Sequence, residues 1–207
     1  MYLASTLIIS YLIGSIPTAY LMVRRKSGVD IRKAGSGNVG AFNTFDVTKS
    51  KWVGITVGLL DALKGLIVTG SLGWVFKVSF EIQAAGLLAA IVGHNYPVWL
   101  KFKGGRGLAT GAGGMFAVGL AYTMVWCLIW ISAYVAKKNI LIGNLAAILV
   151  TPLLLLIIPG SWIESLLVVS CSASSFRILA FILSAVLFLS HLNAINDLRT
   201  NGSLGNE

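Results

Sequence analysis

The stretch LATGAGGMFAVGLAYTMVWCLIWISAYVA, residues 108–136, decides how this chain folds. It is almost wholly apolar or small, as a membrane segment would be. Read as one helix it would be about 43 Å long, against a hydrocarbon core of about 30 Å. The glycine-rich run GAGGMFAVG at 111–119 marks where it divides. The division predicts a short helix over 108–118 and a full one over 120–136.

Working outward, five further apolar stretches lie at 2–23, 52–76, 82–100, 140–158 and 175–192. Each comes near the roughly 20 residues that a spanning helix needs. The division therefore separates a chain of about seven transmembrane helices, one of them short, from a chain of six. Charge favours seven. Seven crossings gather Arg24, Arg25, Lys26, Arg32, Lys33, Lys49, Lys51, Lys101, Lys103, Arg106, Lys137, Lys138 and Arg199 on one face. Only Lys77 and Arg177 fall opposite, and Lys64 lies within the second helix. Six crossings would carry Lys137, Lys138 and the C-terminus to the other side. The positive-inside rule then places the basic face and the C-terminus in the cytoplasm and the N-terminus outside. Residues 2–23 read as a retained helix, because no Lys or Arg precedes them and Arg24-Arg25-Lys26 follows.

Composition agrees with an all-α, polytopic membrane helix bundle forming one integral membrane domain over 1–207. The chain is 57% hydrophobic and 11% charged, whereas soluble domains average about 25% charged residues. The net charge of +9 is explained by topology and anionic lipid headgroups, and no nucleic acid partner is expected. Cys127 and Cys171 lack metal-ligand spacing and make no disulfide framework. With so few carboxylates on the cytoplasmic face, no metal and no cofactor are expected. A G-x-S-x-G elbow, an H-E-x-x-H zinc motif and an H-x-x-x-x-D acyltransferase motif are all absent from the sequence.

Two glycine-rich loops stand on the basic face. GSGNVGAFN at 35–43 satisfies G-x-G-x-x-G, but it follows Arg32-Lys33 between membrane helices rather than a β-strand, which excludes a Rossmann site. Its glycines still suit a backbone that binds an anion, with Ser36, Asn38 and Asn43 as short polar groups beside it. GHNYPVWLKFKGGRGLAT at 93–110 places Lys103, Gly104, Gly105 and Arg106 just before a new helix, beside His94. Helix N-termini and basic side chains both favour phosphate. Asp61 and Lys64, in LLDALKGL, stand three apart on one helix face. They are expected to pair, or Asp61 to orient a basic group of the site. His191 falls at the cytoplasmic end of the seventh helix.

These features resemble the bacterial acyl-phosphate-dependent glycerol-3-phosphate acyltransferase family, through GSGNVGAFN, LDALKG and the close match of 93–110 to G-H-x-[YF]-P…F-K-G-G-[KR]-G-[VL]-A-T. The resemblance implies transfer of an acyl group from acyl phosphate to the 1-hydroxyl of glycerol 3-phosphate, giving lysophosphatidate. It places the site on the cytoplasmic side of the bacterial inner membrane, with membrane lipid around it. Carried over by position, Ser36, Gly37, Asn38 and Asn43 contact phosphate, as do Lys103, Gly104, Gly105 and Arg106, while His94 and His191 are the histidines of the second and third motifs. Four positions depart from the family pattern: Phe42 replaces Thr, Asp46 an Arg, Ala194 an Asn and Asp197 an Arg. Lys49, Lys51 and Arg199 are the basic residues that would offset the two aspartates.

Acyl phosphate is already activated, so aligning two phosphates and excluding water would suffice for direct attack by the substrate hydroxyl. With no His–carboxylate pair visible in the sequence, a substrate phosphate oxygen is the first-ranked base, ahead of His94 and His191. Ser36 joins His94 and His191 as a candidate catalytic residue, but would form no acyl-enzyme. A transporter or channel for phosphorylated anions and a catalytically weakened paralogue are the alternative expectations. A monomer is compatible with each of these readings.

Overall fold

The computed structural model describes residues 3–201, with side chains through residue 196. All regular elements among these residues are helical. Contacts divide the chain into two compact units, 1–117 and 118–207. A helix covers most of each of the seven expected stretches. Five segments are long and apolar enough to cross a membrane: Leu3–Ser27, Lys51–Val75, Leu120–Lys137, Ile140–Ile157 and Ala173–Asn196.

The first unit begins with α1 (Leu3–Gly14) and α2 (Thr18–Ser27). The expected single helix over 2–23 is thus broken at Ser15–Pro17. Proline lacks an N–H and its ring crowds the preceding turn, which favours a break there. The break leaves the Ile16 carbonyl outside a helical ladder. Three basic residues, Arg24, Arg25 and Lys26, occupy the last turn of α2, where the helix dipole favours them. Next come α3 (Ala41–Thr48), α4 (Lys51–Gly70) with a π-turn at Ser71–Val75, α5 (Phe80–Asn95) and α6 (Leu108–Val118). Helix α3 lies inside what the sequence presents as a polar loop. Helix α5 stops earlier than the apolar stretch 82–100, because Pro97 follows it.

The glycines at 111–114 do not break α6; they pack it. A Cβ at Gly113 would drive into the Ala62 backbone of α4, and one at Gly65 would stand 2.8 Å from the Gly114 nitrogen. Small residues allow this close approach of membrane helices. Helix α5 packs on both α1 and α4. Beneath the polar loops, Ala19, Val23, Ile31, Val39, Val57 and Leu100 form a buried cluster that anchors both glycine-rich segments.

The second unit holds α7 (Leu120–Lys137), α8 (Ile140–Ile157), α9 (Gly160–Ser165) and α10 (Ala173–Asn201). The expected division of 108–136 falls at Gly119, in extended backbone. The peptide groups freed from the helical ladder are stitched to the 166–169 segment: Leu120 N–H donates to Leu166 O at 3.0 Å and Val168 N–H to Val118 O at 2.8 Å. Helix α8 packs against α7 and α10. Trp130 donates to Asn144 at 2.8 Å. Arg177 closes the end of α8 by donating to Leu155 O at 2.9 Å and Ile158 O at 2.7 Å. Leu128, Leu153, Ile157 and Ile178 are exposed, as expected of side chains facing lipid.

Candidate functional site

The first loop is organised from within. Asn43 is buried. Its Oδ1 accepts from the Ser36 N–H at 3.0 Å, and its Nδ2 donates to the carbonyls of Ala34 (3.1 Å) and Asn38 (2.9 Å), with a longer bond to Ile31 (3.3 Å). This carboxamide is engaged with the loop itself. Gly35 and Gly37 take φ +56° and +71°, the left-handed region that glycine enters without strain. Together these features present Ser36, Gly37 and Asn38 around the start of α3, which no side chain caps. Asn43→Ala is expected to cost about 1–3 kcal/mol of stability, since it strips partners from buried backbone groups. Thermal unfolding in detergent checks this.

Arg32 ties this loop to its neighbour. It donates to both Asp30 carboxylate oxygens, at 3.0 and 2.7 Å, and to Leu100 O at 3.1 Å. These hydrogen bonds from Arg32 hold the Asp30 carboxyl down to about 2. A lowered carboxyl pKa stabilises the fold above the ordinary value of 3.8 and loses that contribution as pH falls through about 2. The clamp therefore persists at any pH a cell meets.

The second loop is held against the end of α5. Gly104 N–H donates to Asn95 O and Gly105 N–H to His94 O, both at 3.1 Å. A Cβ at Gly105 would strike the His94 ring and stand 2.6 Å from the Val39 carbonyl oxygen. The sequence suggests that these glycines make room for an anion. The structure shows them making room for His94 and for the first loop. Lys103 is exposed and Arg106 half-buried. The Asn95 side chain is buried with neither end of its carboxamide hydrogen-bonded.

Below the loops lies a buried ionic cluster. Lys64 Nζ donates to Asp61 Oδ1 at 2.6 Å, to Ile16 O at 2.6 Å and to Thr18 Oγ1 at 3.1 Å. Those three bonds use all three ammonium protons. Thr18 Oγ1 donates in turn to Asp61 Oδ1, and His94 Nδ1 stands 3.6 Å from the same oxygen. Asp61 and Lys64 are paired, as their spacing suggests, and Asp61 also faces the site histidine. A small cleft opens here, lined by Ile16, Thr18, Val39, Lys64, His94 and Pro97.

Ser36, Gly37, Asn38, Asn43, His94, Lys103, Gly104, Gly105 and Arg106 thus all belong to the first unit. His191 belongs to the second, buried on α10 with Nδ1 2.7 Å from Leu187 O. Of the departures, Asp46 is neutralised locally by Lys49 at 2.6 Å on an exposed surface. Phe42 stands edge-on to Phe45 at 6.4 Å, and Ala194 is buried on α10. The side chains of Asp197 and Arg199 lie outside the described residues. Among the described residues no group of three or more His, Cys, Asp or Glu side chains is placed to hold a metal ion. Sequence reasoning missed Thr18 and the Asp61–His94 approach. The available signal was Pro17 inside the first apolar run.

A family model for glycerol-3-phosphate acyltransferase matches residues 4–201. Glycerol-3-phosphate acyltransferase 2 of Moorella thermoacetica is 41% identical over 157 residues, covering 75% of this chain and 79% of that protein. Its counterpart in Thermotoga maritima is 37% identical, covering 74% and 77%. The crystal structure of PlsY (YgiH), an integral membrane glycerol 3-phosphate acyltransferase, in its glycerol 3-phosphate form superposes with a TM-score of 0.79 at 31% identity, over 96% of this chain and 92% of that one. The lysophosphatidic acid form gives 0.79 at 29% identity, over 99% and 96%.

Proposed function

This chain belongs to the glycerol-3-phosphate acyltransferase family, and from that premise we propose that it moves a fatty acyl group from acyl phosphate to the 1-hydroxyl of glycerol 3-phosphate. It is a membrane acyltransferase. In the proposed step the 1-hydroxyl oxygen bonds to the acyl carbon, and the bond from that carbon to the phosphate oxygen breaks. The hydroxyl proton passes to a substrate phosphate oxygen, so lysophosphatidate and inorganic phosphate leave with no acyl-enzyme on Ser36.

The observation that carries this reading is the packing of the two glycine loops on each other, Gly105 against the Val39 carbonyl and the His94 ring, two residues that also line the cleft. Lys103, Arg106, Ser36, Gly37, Asn38 and the start of α3 supply the donors and charge that two phosphates require. Asn43, Gly104 and Gly105 give those groups their shape. The 3.6 Å approach of Asp61 to His94 favours a second proton route, with His94 as the base. The basic loops argue for seven crossings, a cytoplasmic site and a location in the bacterial inner membrane.

The purified protein, given palmitoyl phosphate and glycerol 3-phosphate, is expected to release lysophosphatidate and phosphate in equal amounts. No lysophosphatidate alongside an active control enzyme, or a stable acyl group on Ser36, would overturn the reading.

A further inference from the structure

We propose that Thr18 is a positioning residue for acyl transfer: its hydroxyl clamps the Asp61–Lys64 pair so that Asp61 stays aligned with His94. The inference rests on the functional reading above, which places the reaction at the cleft beside His94. Its own support is geometric. Pro17 interrupts the first membrane segment and so delivers two groups to α4: the Ile16 carbonyl and the Thr18 hydroxyl. Both bind Lys64 Nζ, at 2.6 and 3.1 Å. The hydroxyl has one proton and two lone pairs. The proton goes to Asp61 Oδ1, and a lone pair receives Lys64.

Thr18 therefore bridges both ends of an ion pair whose members are 2% and 5% exposed. The bridge fixes Asp61 Oδ1, the atom 3.6 Å from His94 Nδ1. On the ring's other side, Nε2 points at Gly105, where a Cβ would collide with it. The imidazole is thus held between a carboxylate and the second glycine loop. Removing the hydroxyl strips a partner from Asp61 and from Lys64 while leaving Ile16, His94 and both loops in place. The carboxylate then follows Lys64 or turns toward the histidine, and the ring loses its alignment. Thr18 lines the cleft but acts through Asp61, so the chemical consequence falls on turnover rather than on substrate affinity.

Thr18→Val keeps the shape and removes the hydroxyl, while Thr18→Ser keeps the hydroxyl and removes the methyl. Lysophosphatidate formation from palmitoyl phosphate and glycerol 3-phosphate is measured per folded protein. Thr18→Val is expected to lower kcat about 10-fold with both KM values little changed, because Asp61 loses its hydroxyl partner and Lys64 one of its three acceptors. Thr18→Ser should recover most of it. A wild-type kcat in Thr18→Val would overturn the proposal. So would equal loss in both variants, which would assign the effect to packing, or a change confined to KM, which would make Thr18 a substrate contact. If Thr18→Val does not reach the membrane, Thr18→Ala is read in its place by the same criteria. A wild-type protein that makes no lysophosphatidate defeats the functional reading and this inference together; an active wild type with an unaffected Thr18→Val defeats this inference alone.

Discussion

Gly105→Ala is expected to abolish most acyl transfer while leaving a folded membrane protein. The added methyl would occupy the position of the His94 ring, 2.6 Å from the Val39 carbonyl oxygen. Neither neighbour can yield cheaply. Val39 belongs to the buried cluster under the loops, and His94 faces Asp61, which Lys64 and Thr18 hold. The second loop must move instead, and it carries Lys103 and Arg106 with it. A displacement of about 1 Å in a positioning group costs on the order of 100-fold in rate. Gly58→Ala is the matched control. Its Cβ would meet only the Ala41 Cβ of α3, at 3.4 Å, an ordinary contact. Alanine is favoured over glycine inside a helix by about 1 kcal/mol. This variant should keep its activity and hold or raise its Tm. Lysophosphatidate assays and thermal unfolding of both variants check the contrast; a fully active Gly105→Ala would show that the loop need not touch His94.

Much of this was legible in the sequence because it depends on short-range patterns. Apolar run length located the helices, and the excess length of 108–136 forced the division that the structure places at Gly119. Asp61 and Lys64, three apart, could be paired by helical spacing alone. The break at Ser15–Pro17 was harder to see, because apolar composition continues on both sides of it. Helix α3 was hidden by its eight residues and by the glycines before it. The backbone bonds of the Asn43 carboxamide are not written in the sequence, because they depend on how the loop closes over it. The approach of Asp61 to His94 follows from the packing of α4 on α5, which no local spacing encodes. That approach alters the chemistry most, since its apparent absence had ranked a substrate oxygen ahead of any side chain as base.

Lys64→Met should be the most destabilising change in the first unit. It removes the ammonium paired with Asp61 and leaves a carboxylate that is 2% exposed. Deleting one partner of a buried pair costs about 3–5 kcal/mol, mostly because the surviving charge is uncompensated. The Ile16 carbonyl loses its Lys64 donor at the same time and keeps the Thr18 N–H. Removing both charges, as in Asp61→Leu with Lys64→Met, should recover much of the stability, because a buried ion pair is often worth no more than well-packed apolar side chains. Activity should not recover with it. The double variant keeps the helices but offers His94 no carboxylate, so the imidazole beside Gly105 is no longer oriented. Stability and turnover would then part company: Tm falls in the single variant and returns in the double, while kcat stays low in both. Thermal unfolding and lysophosphatidate assays on the same preparations read the two quantities separately. A double variant with wild-type kcat would mean that Asp61 and Lys64 serve the packing of α4 alone and that the cleft needs no anchored carboxylate.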